Sequence, residues 1–176
     1  PGHVITVKEN GGILAGRAKH SVIRNVTVNG TLRTTGTVGG VTADVLEDSV
    51  VENCVSDHVA IDTGSGKEIF AGGIAGRAAE SLIADCEVNT GDSLSARIQG
   101  GGYVGGIVGK AEYGAIISCE SYGDIESTGG SQVGGIAGSA SYAIRSCYSM
   151  GKITGKNNIG GIAGEGCDIF YSYAYN

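Results

Sequence analysis

Val133-Gly134-Gly135-Ile136-Ala137-Gly138, then Ile144-Arg145-Ser146-Cys147 and Gly151-Lys152-Ile153, is the stretch on which the fold turns, because each of its three words recurs along the chain. The first word returns as Val38-Gly39-Gly40-Val41, Phe70-Ala71-Gly72-Gly73-Ile74, Val104-Gly105-Gly106-Ile107 and Ile159-Gly160-Gly161-Ile162. A looser copy is Asn10-Gly11-Gly12-Ile13-Leu14-Ala15-Gly16. Anchored on the glycine before the aliphatic residue, the copies stand at 12, 40, 73, 106, 135 and 161, with spacings of 28, 33, 33, 29 and 26 residues. A period in that range marks stacked repeat units.

The second word is an aliphatic residue, any residue, Asn, Asp or Ser, then Cys. It reads Val51-Glu52-Asn53-Cys54, Ile83-Ala84-Asp85-Cys86 and Ile116-Ile117-Ser118-Cys119, with Ile23-Arg24-Asn25-Val26 and Ile169-Phe170-Tyr171-Ser172 as the end copies. The third word also appears as Gly30-Thr31-Leu32 and Gly123-Asp124-Ile125. Each repeat therefore offers three short alternating segments divided by turn-forming residues, which predicts three strands per repeat. A sustained helical period is missing. The most helix-like piece is Gly76 to Ile83, and its counterpart in the next repeat contains Tyr113-Gly114.

The expected fold is all-β: a parallel β-helix or β-solenoid of about six coils, right-handed, with equivalent residues of successive coils stacked about 4.8 Å apart. One domain spans 1–176, with repeats near 10–37, 38–69, 70–103, 104–132, 133–158 and 159–176. The chain opens with Pro1-Gly2-His3 rather than Met, so it reads as a fragment of a larger protein. Asn25, Asn53, Asp85, Ser118 and Ser146 are expected at one corner, where short polar side chains tolerate bent backbone. Loops are expected to protrude at 62–68 and 91–103, where repeat length varies. The paired glycines need a geometric cause, since each Gly in a strand costs roughly 0.5–1 kcal/mol relative to Ala. A corner too tight for a Cβ is the favoured cause.

Four of the five cysteines share one repeat position, which predicts an inward column of reduced, inert thiols behaving as small hydrophobes. A Ser placed there is expected to bury a hydroxyl without a good partner, at about 1–3 kcal/mol. Cys167 lies outside the column and reads as the accessible one.

Composition narrows the function. Glycine makes up 33 of 176 residues without the every-third pattern of collagen. The net charge of −6, with basic residues scattered singly, removes the positive stripe that nucleic acid demands. No apolar run in this fragment approaches the ~20 residues of a membrane span. His3, His20 and His58 fall at different repeat positions, and H-E-x-x-H is absent. Gly64-Ser65-Gly66-Lys67-Glu68 imitates the end of a phosphate loop, but Ile61 and Glu68 stand where Gly and Ser or Thr are required. The spacing of Gly100, Gly102 and Gly105 runs into a repeat word rather than opening a helix. Asp44, Glu47, Asp48 and Glu52 form an acidic cluster that reads as a solvated face rather than a calcium site. The terminal aromatics, with Tyr173 matching Tyr148, read as packing on the last coil. That coil's open edge would be covered in a longer protein by further repeats or an adjoining domain.

The words beginning at Gly134-Gly135-Ile136-Ala137-Gly138 and running through Ile144-Arg145-Ser146-Cys147-Tyr148-Ser149-Met150-Gly151-Lys152-Ile153-Thr154-Gly155 closely resemble the GLUG motif. That repeat occurs in bacterial secreted and cell-wall proteins, including large adhesin-like proteins and non-catalytic regions of immunoglobulin A1-specific metallopeptidases. The resemblance covers nearly the whole chain. It implies a non-catalytic module, secreted or on the bacterial cell surface, serving as an adhesive or stalk segment. The implied partners are a host or matrix protein or a glycan, together with adjoining domains of the parent chain. An accessory region that positions substrate for a peptidase domain elsewhere is the alternative, and a polysaccharide-degrading β-helix enzyme stands behind it. No catalytic, cofactor-binding or metal-binding residue is assigned, and no cofactor is expected.

Overall fold

The computed structural model describes residues 4–66, 68–89, 97–129, 132–166 and 168–176, and these contain strands, bends and turns but no helix. The strands form five parallel sheets of six strands each, every sheet taking one strand from each of six coils. The chain is a parallel β-solenoid of about six turns. The third coil shows the plan: Ala60–Asp62, Phe70–Gly72, Ala75–Ala79, Leu82–Ala84 and Glu87–Asn89 contribute to sheets one to five in that order.

Five strands per coil replace the three expected, because bends cut two of the predicted segments. The double glycine divides the first word into Phe70–Gly72 and Ala75–Ala79. Asp85 divides the second into Leu82–Ala84 and Glu87–Asn89. Asp85 does so by adopting a left-handed backbone, as do Asn25, Asn53, Ser118, Ser146 and Tyr171 in the other coils, all with φ between 48° and 57°. Asn and Asp are the non-glycine residues best suited to that region. The expected corner is therefore real, and Asn53 Nδ2 donates across it to Asn25 Oδ1 at 2.6 Å. A second left-handed column, His20, Glu47, Glu80 and Tyr113, separates sheets three and four. The helix-like stretch Gly76 to Ile83 is strand on both sides of Glu80.

The core is a set of axial columns. Leu32, Ile61, Ile98 and Ile125 line the inside of the first sheet, and Val51, Ile83, Ile116 and Ile144 that of the fourth, all essentially without solvent contact. The glycines explain how sheets two and three join this interior. A Cβ on Gly39, Gly72, Gly105 or Gly134 would lie 2.6–2.8 Å from backbone of the next coil, and closer still to the carbonyl three residues ahead. A Cβ on the second glycine would strike the next coil's glycine carbonyl and the inward side chain of sheet five: Ser56, Val88, Ser121 or Ser149. None of these glycines has a left-handed φ. Their role is close approach, as the tight-corner reading holds.

Register corrects one assignment. Gly12 pairs with Gly39, not Gly40, so the first coil stands one residue out of the sequence-based frame. Ile13 occupies the column of the second glycine and packs on the margin of the core. Pairing along the whole sheet, rather than the local look of Gly11-Gly12, sets this frame.

Candidate binding face

The outward residues of the first sheet form a surface with adjoining depressions along it. Because strand side chains alternate, the positions on either side of the inward Leu or Ile column face solvent. Stacking turns them into two rows: Val4, Thr31, Ala60, Arg97, Asp124 and Lys152 in one, and Thr6, Arg33, Asp62, Gln99, Glu126 and Thr154 in the other. Two depressions lie along them. One of about 350 Å³ is lined by Thr31, Arg33, Ala60, Ile61, Asp62, Arg97 and Gln99. The next, about 300 Å³, shares Arg97 and adds Asp124, Ile125, Glu126, Lys152 and Thr154. A third, about 570 Å³, adjoins them through Arg33 and Asp62 and extends past Thr34, Thr35 and Thr63 toward Lys8.

This face is mixed in sign, and its carboxylates are already engaged. Asp62 Oδ1 accepts from the Gly64 amide at 3.0 Å, Asp124 Oδ1 from the Lys152 amide at 2.9 Å, and Glu126 Oε2 lies 3.2 Å from Arg97 Nη1. The connection 63–69 follows the sheet's third strand, and the segment before Ile98 precedes its fourth. The loop expected at 62–68 is thus present from Thr63, and Lys67 lies outside the described residues. The loop expected at 91–103 ends earlier than anticipated, since Ile98–Gly100 and Tyr103–Gly105 are strands, and 91–96 lie outside the described residues. The sequence signal for this face was the polar–apolar–polar pattern of the third word, as in Asp124-Ile125-Glu126 and Lys152-Ile153-Thr154. It was read for strands and not for the surface it creates.

The other sequence candidates resolve separately. Cys54, Cys86, Cys119 and Cys147 are free thiols in one buried column. Each Sγ donates to the carbonyl two residues back, at 3.1 Å for Cys86 to Ala84 and 3.3 Å for the other three. Ser172 makes the same bond to Phe170 at 2.9 Å. The expected orphan hydroxyl for a Ser here is therefore corrected: an acceptor waits at every coil. Burial pushes the Cys119 thiol well above its ordinary range, and the neighbouring Cys147 and Cys86 thiols add to the rise. Cys167 and His3 lie outside the described residues.

Three members of the acidic cluster form a ladder of charge pairs between the first two coils, and the fourth, Asp48, is exposed beside them. Asp44 meets Arg17 at 3.6 Å and accepts from Asn10 at 3.3 Å, Glu47 meets Lys19 at 2.8 Å and His20 at 3.2 Å, and Glu52 meets Arg24 at 3.2 Å. The hydrogen bond from Lys19 holds the Glu47 carboxyl below its ordinary value. Asp44 is buried, which corrects the reading of a wholly solvated face. Among the described residues, no three His, Cys, Asp or Glu side chains converge as metal ligands would. His58 pairs with Asp57 at 2.7 Å just after a fifth-sheet strand, whereas His20 pairs with Glu47 at the bend between sheets three and four, so these two stand at different positions of the coil. Gly100 and Gly105 sit in strands.

Two aromatic groups are secondary surfaces. Tyr148 and Tyr173 pair in register and stack with centroids 5.8 Å apart at 3°, as packing along the coil requires. Phe70 and Tyr103 meet edge to face at 5.3 Å, with Lys110 Nζ about 5.5 Å from both rings. Beside them, partial burial works to raise the Glu112 carboxyl, but hydrogen bonds from Lys110 and Arg77 outweigh it and leave the group below its ordinary value. Comparison with protein families, with curated proteins and with solved structures finds no match.

Proposed function

We propose that this chain is a non-catalytic repeat module of the GLUG type, from a secreted or cell-surface bacterial protein, that holds an extended ligand along its first sheet. The observation that carries the reading is the run of three adjoining depressions, two lined by charged and amide side chains and the third mainly apolar, along a face of fixed backbone spacing. An extended glycan or protein segment matches such a row, because its own polar groups recur at short intervals. Asp62 and Asp124 each accept a backbone amide through one carboxylate oxygen and Glu126 pairs with Arg97, so these side chains are held in place along the face with acceptor capacity left for a ligand. The continuous core beneath supplies the stiffness a stalk needs.

The test is binding of the chain to panels of glycans and matrix proteins, beside Arg97→Ala combined with Gln99→Ala. Both residues point outward, so melting should be unchanged while the strongest binding falls at least tenfold. Binding retained in full by the double variant would place the ligand elsewhere on the solenoid.

A further inference from the structure

We infer that the ligand of the first sheet is an acidic polysaccharide carrying an anionic group on every second sugar. This rests on the proposal that this sheet is the binding face, and adds the class of ligand and its register. From coil to coil the two outward rows alternate in charge. The second coil presents Arg33, the third Asp62, the fourth Arg97, the fifth Asp124 and Glu126, and the sixth Lys152. The other outward residues of these coils, Thr31, Ala60, Gln99 and Thr154, are uncharged. Arg33, Asp62, Arg97, Asp124 and Lys152 are exposed and Glu126 is half-buried. They face outward from the sheet, so neither end of the chain creates the pattern.

The period selects the ligand. Strands of one sheet lie about 4.8 Å apart, so charges of one sign recur about every 9.6 Å. A pyranose in an extended β-linked chain advances about 5 Å, nearly one strand spacing per sugar. Acid sugars then stand over Arg33, Arg97 and Lys152. The neutral sugars between them stand over Asp62 and over Asp124 and Glu126, whose remaining lone pairs accept from hydroxyl or amide groups. An extended peptide falls out of step, because its side chains on one face recur at about 6.8 Å. A polysaccharide with an acid on every sugar would set carboxylates against Asp62, Asp124 and Glu126, a like-charge contact that disfavours the wrong partner. The protein groups have capacity to spare. Arg33 and Lys152 make no ion pair among the described residues. Arg97 meets Glu126 through Nη1 at 3.2 Å, and Asp62 and Asp124 each engage Oδ1.

Calorimetric titration with hyaluronan oligosaccharides, in which uronic acid and N-acetylhexosamine alternate, tests this on the 176-residue chain. The hexasaccharide should bind more tightly than the tetrasaccharide, since it brings three acids to three cations, and added salt should weaken it. Reducing its carboxyls to alcohols should lower affinity about tenfold or more, and oligomannuronate, with an acid on every sugar, should bind no better than the reduced form. Arg33→Gln and Lys152→Gln should each lower hyaluronan affinity roughly two- to fivefold, with circular dichroism unchanged. Asp62→Lys should raise the affinity for oligomannuronate. Failure of hyaluronan to bind, or equal binding of the reduced form, of oligomannuronate or of an acidic peptide, would overturn the inference. If the reduced form bound equally and Arg97→Ala with Gln99→Ala abolished both, the face would stand and the charge register would fall. Hyaluronan binding untouched by that double variant would remove the face itself.

Discussion

Coil four and coil six carry nearly the same words, yet one is interior and the other is surface. Ile116 is inaccessible in the fourth coil, whereas Ile169, its equivalent in the sixth, is 43 % exposed. Val104 and Ile107 are likewise sealed, while Ile159 of coil six is largely open. Each coil buries its residues against the coils on either side of it, so a column position becomes core only when both neighbours are present. Stability in such a stack follows nearest-neighbour interfaces rather than distance from a single centre.

The largest break in that comparison should come from truncating the same column in both places. Ile116→Ala is expected to cost about 2–5 kcal/mol, as for other sealed aliphatic side chains. Ile169→Ala should cost less than half as much, and urea denaturation of the two variants would show it. Equal losses would mean that the end coil is as well packed as the middle. The glycines sharpen the contrast at the next level. Gly106→Ala drives a Cβ onto the Gly135 carbonyl and the Ser121 side chain, and overpacking of this kind costs about 1–3 kcal/mol or more. Gly166, in the last coil, has nothing within 4 Å of where a Cβ would stand. Its replacement by Ala should leave the melting temperature unchanged or slightly raised. The smallest effect is expected at the thiol column. Cys86→Ser keeps a donor for the Ala84 carbonyl, so the loss should stay within about 1 kcal/mol, the size of a typical net hydrogen bond. A larger loss in thermal melting would show that sulfur volume, rather than the hydrogen bond, holds that position.

Much of this was legible in the words themselves. The recurrence of Asn25, Asn53, Asp85, Ser118 and Ser146 marked the corner, because few residues accept a left-handed backbone and those that do betray it by type. The cysteine position was legible as inward, because it follows that corner at a fixed offset in every copy. The number of strands was not legible, since Gly72-Gly73 reads equally well as part of one strand or as the bend between two. The frame of the first coil was not legible either: Gly11-Gly12 imitates the later pairs, and only its pairing with Val38-Gly39 shows the shift. The candidate face was half visible, as an alternation without a map of what the alternate residues line up with.

The sequence by itself determined the period, the parallel stacking and, from the second coil on, the identity of the columns, because these depend on comparing one coil with the next at equal positions. Tertiary structure alone decided which columns meet across the coil. Ser121 fills the space a Cβ on Gly106 would need, Lys110 reaches Phe70 and Tyr103, and Arg33, Asp62 and Arg97 share one run of depressions. Those meetings are set by the angles of the bends between strands, and a bend angle leaves no periodic trace along the chain.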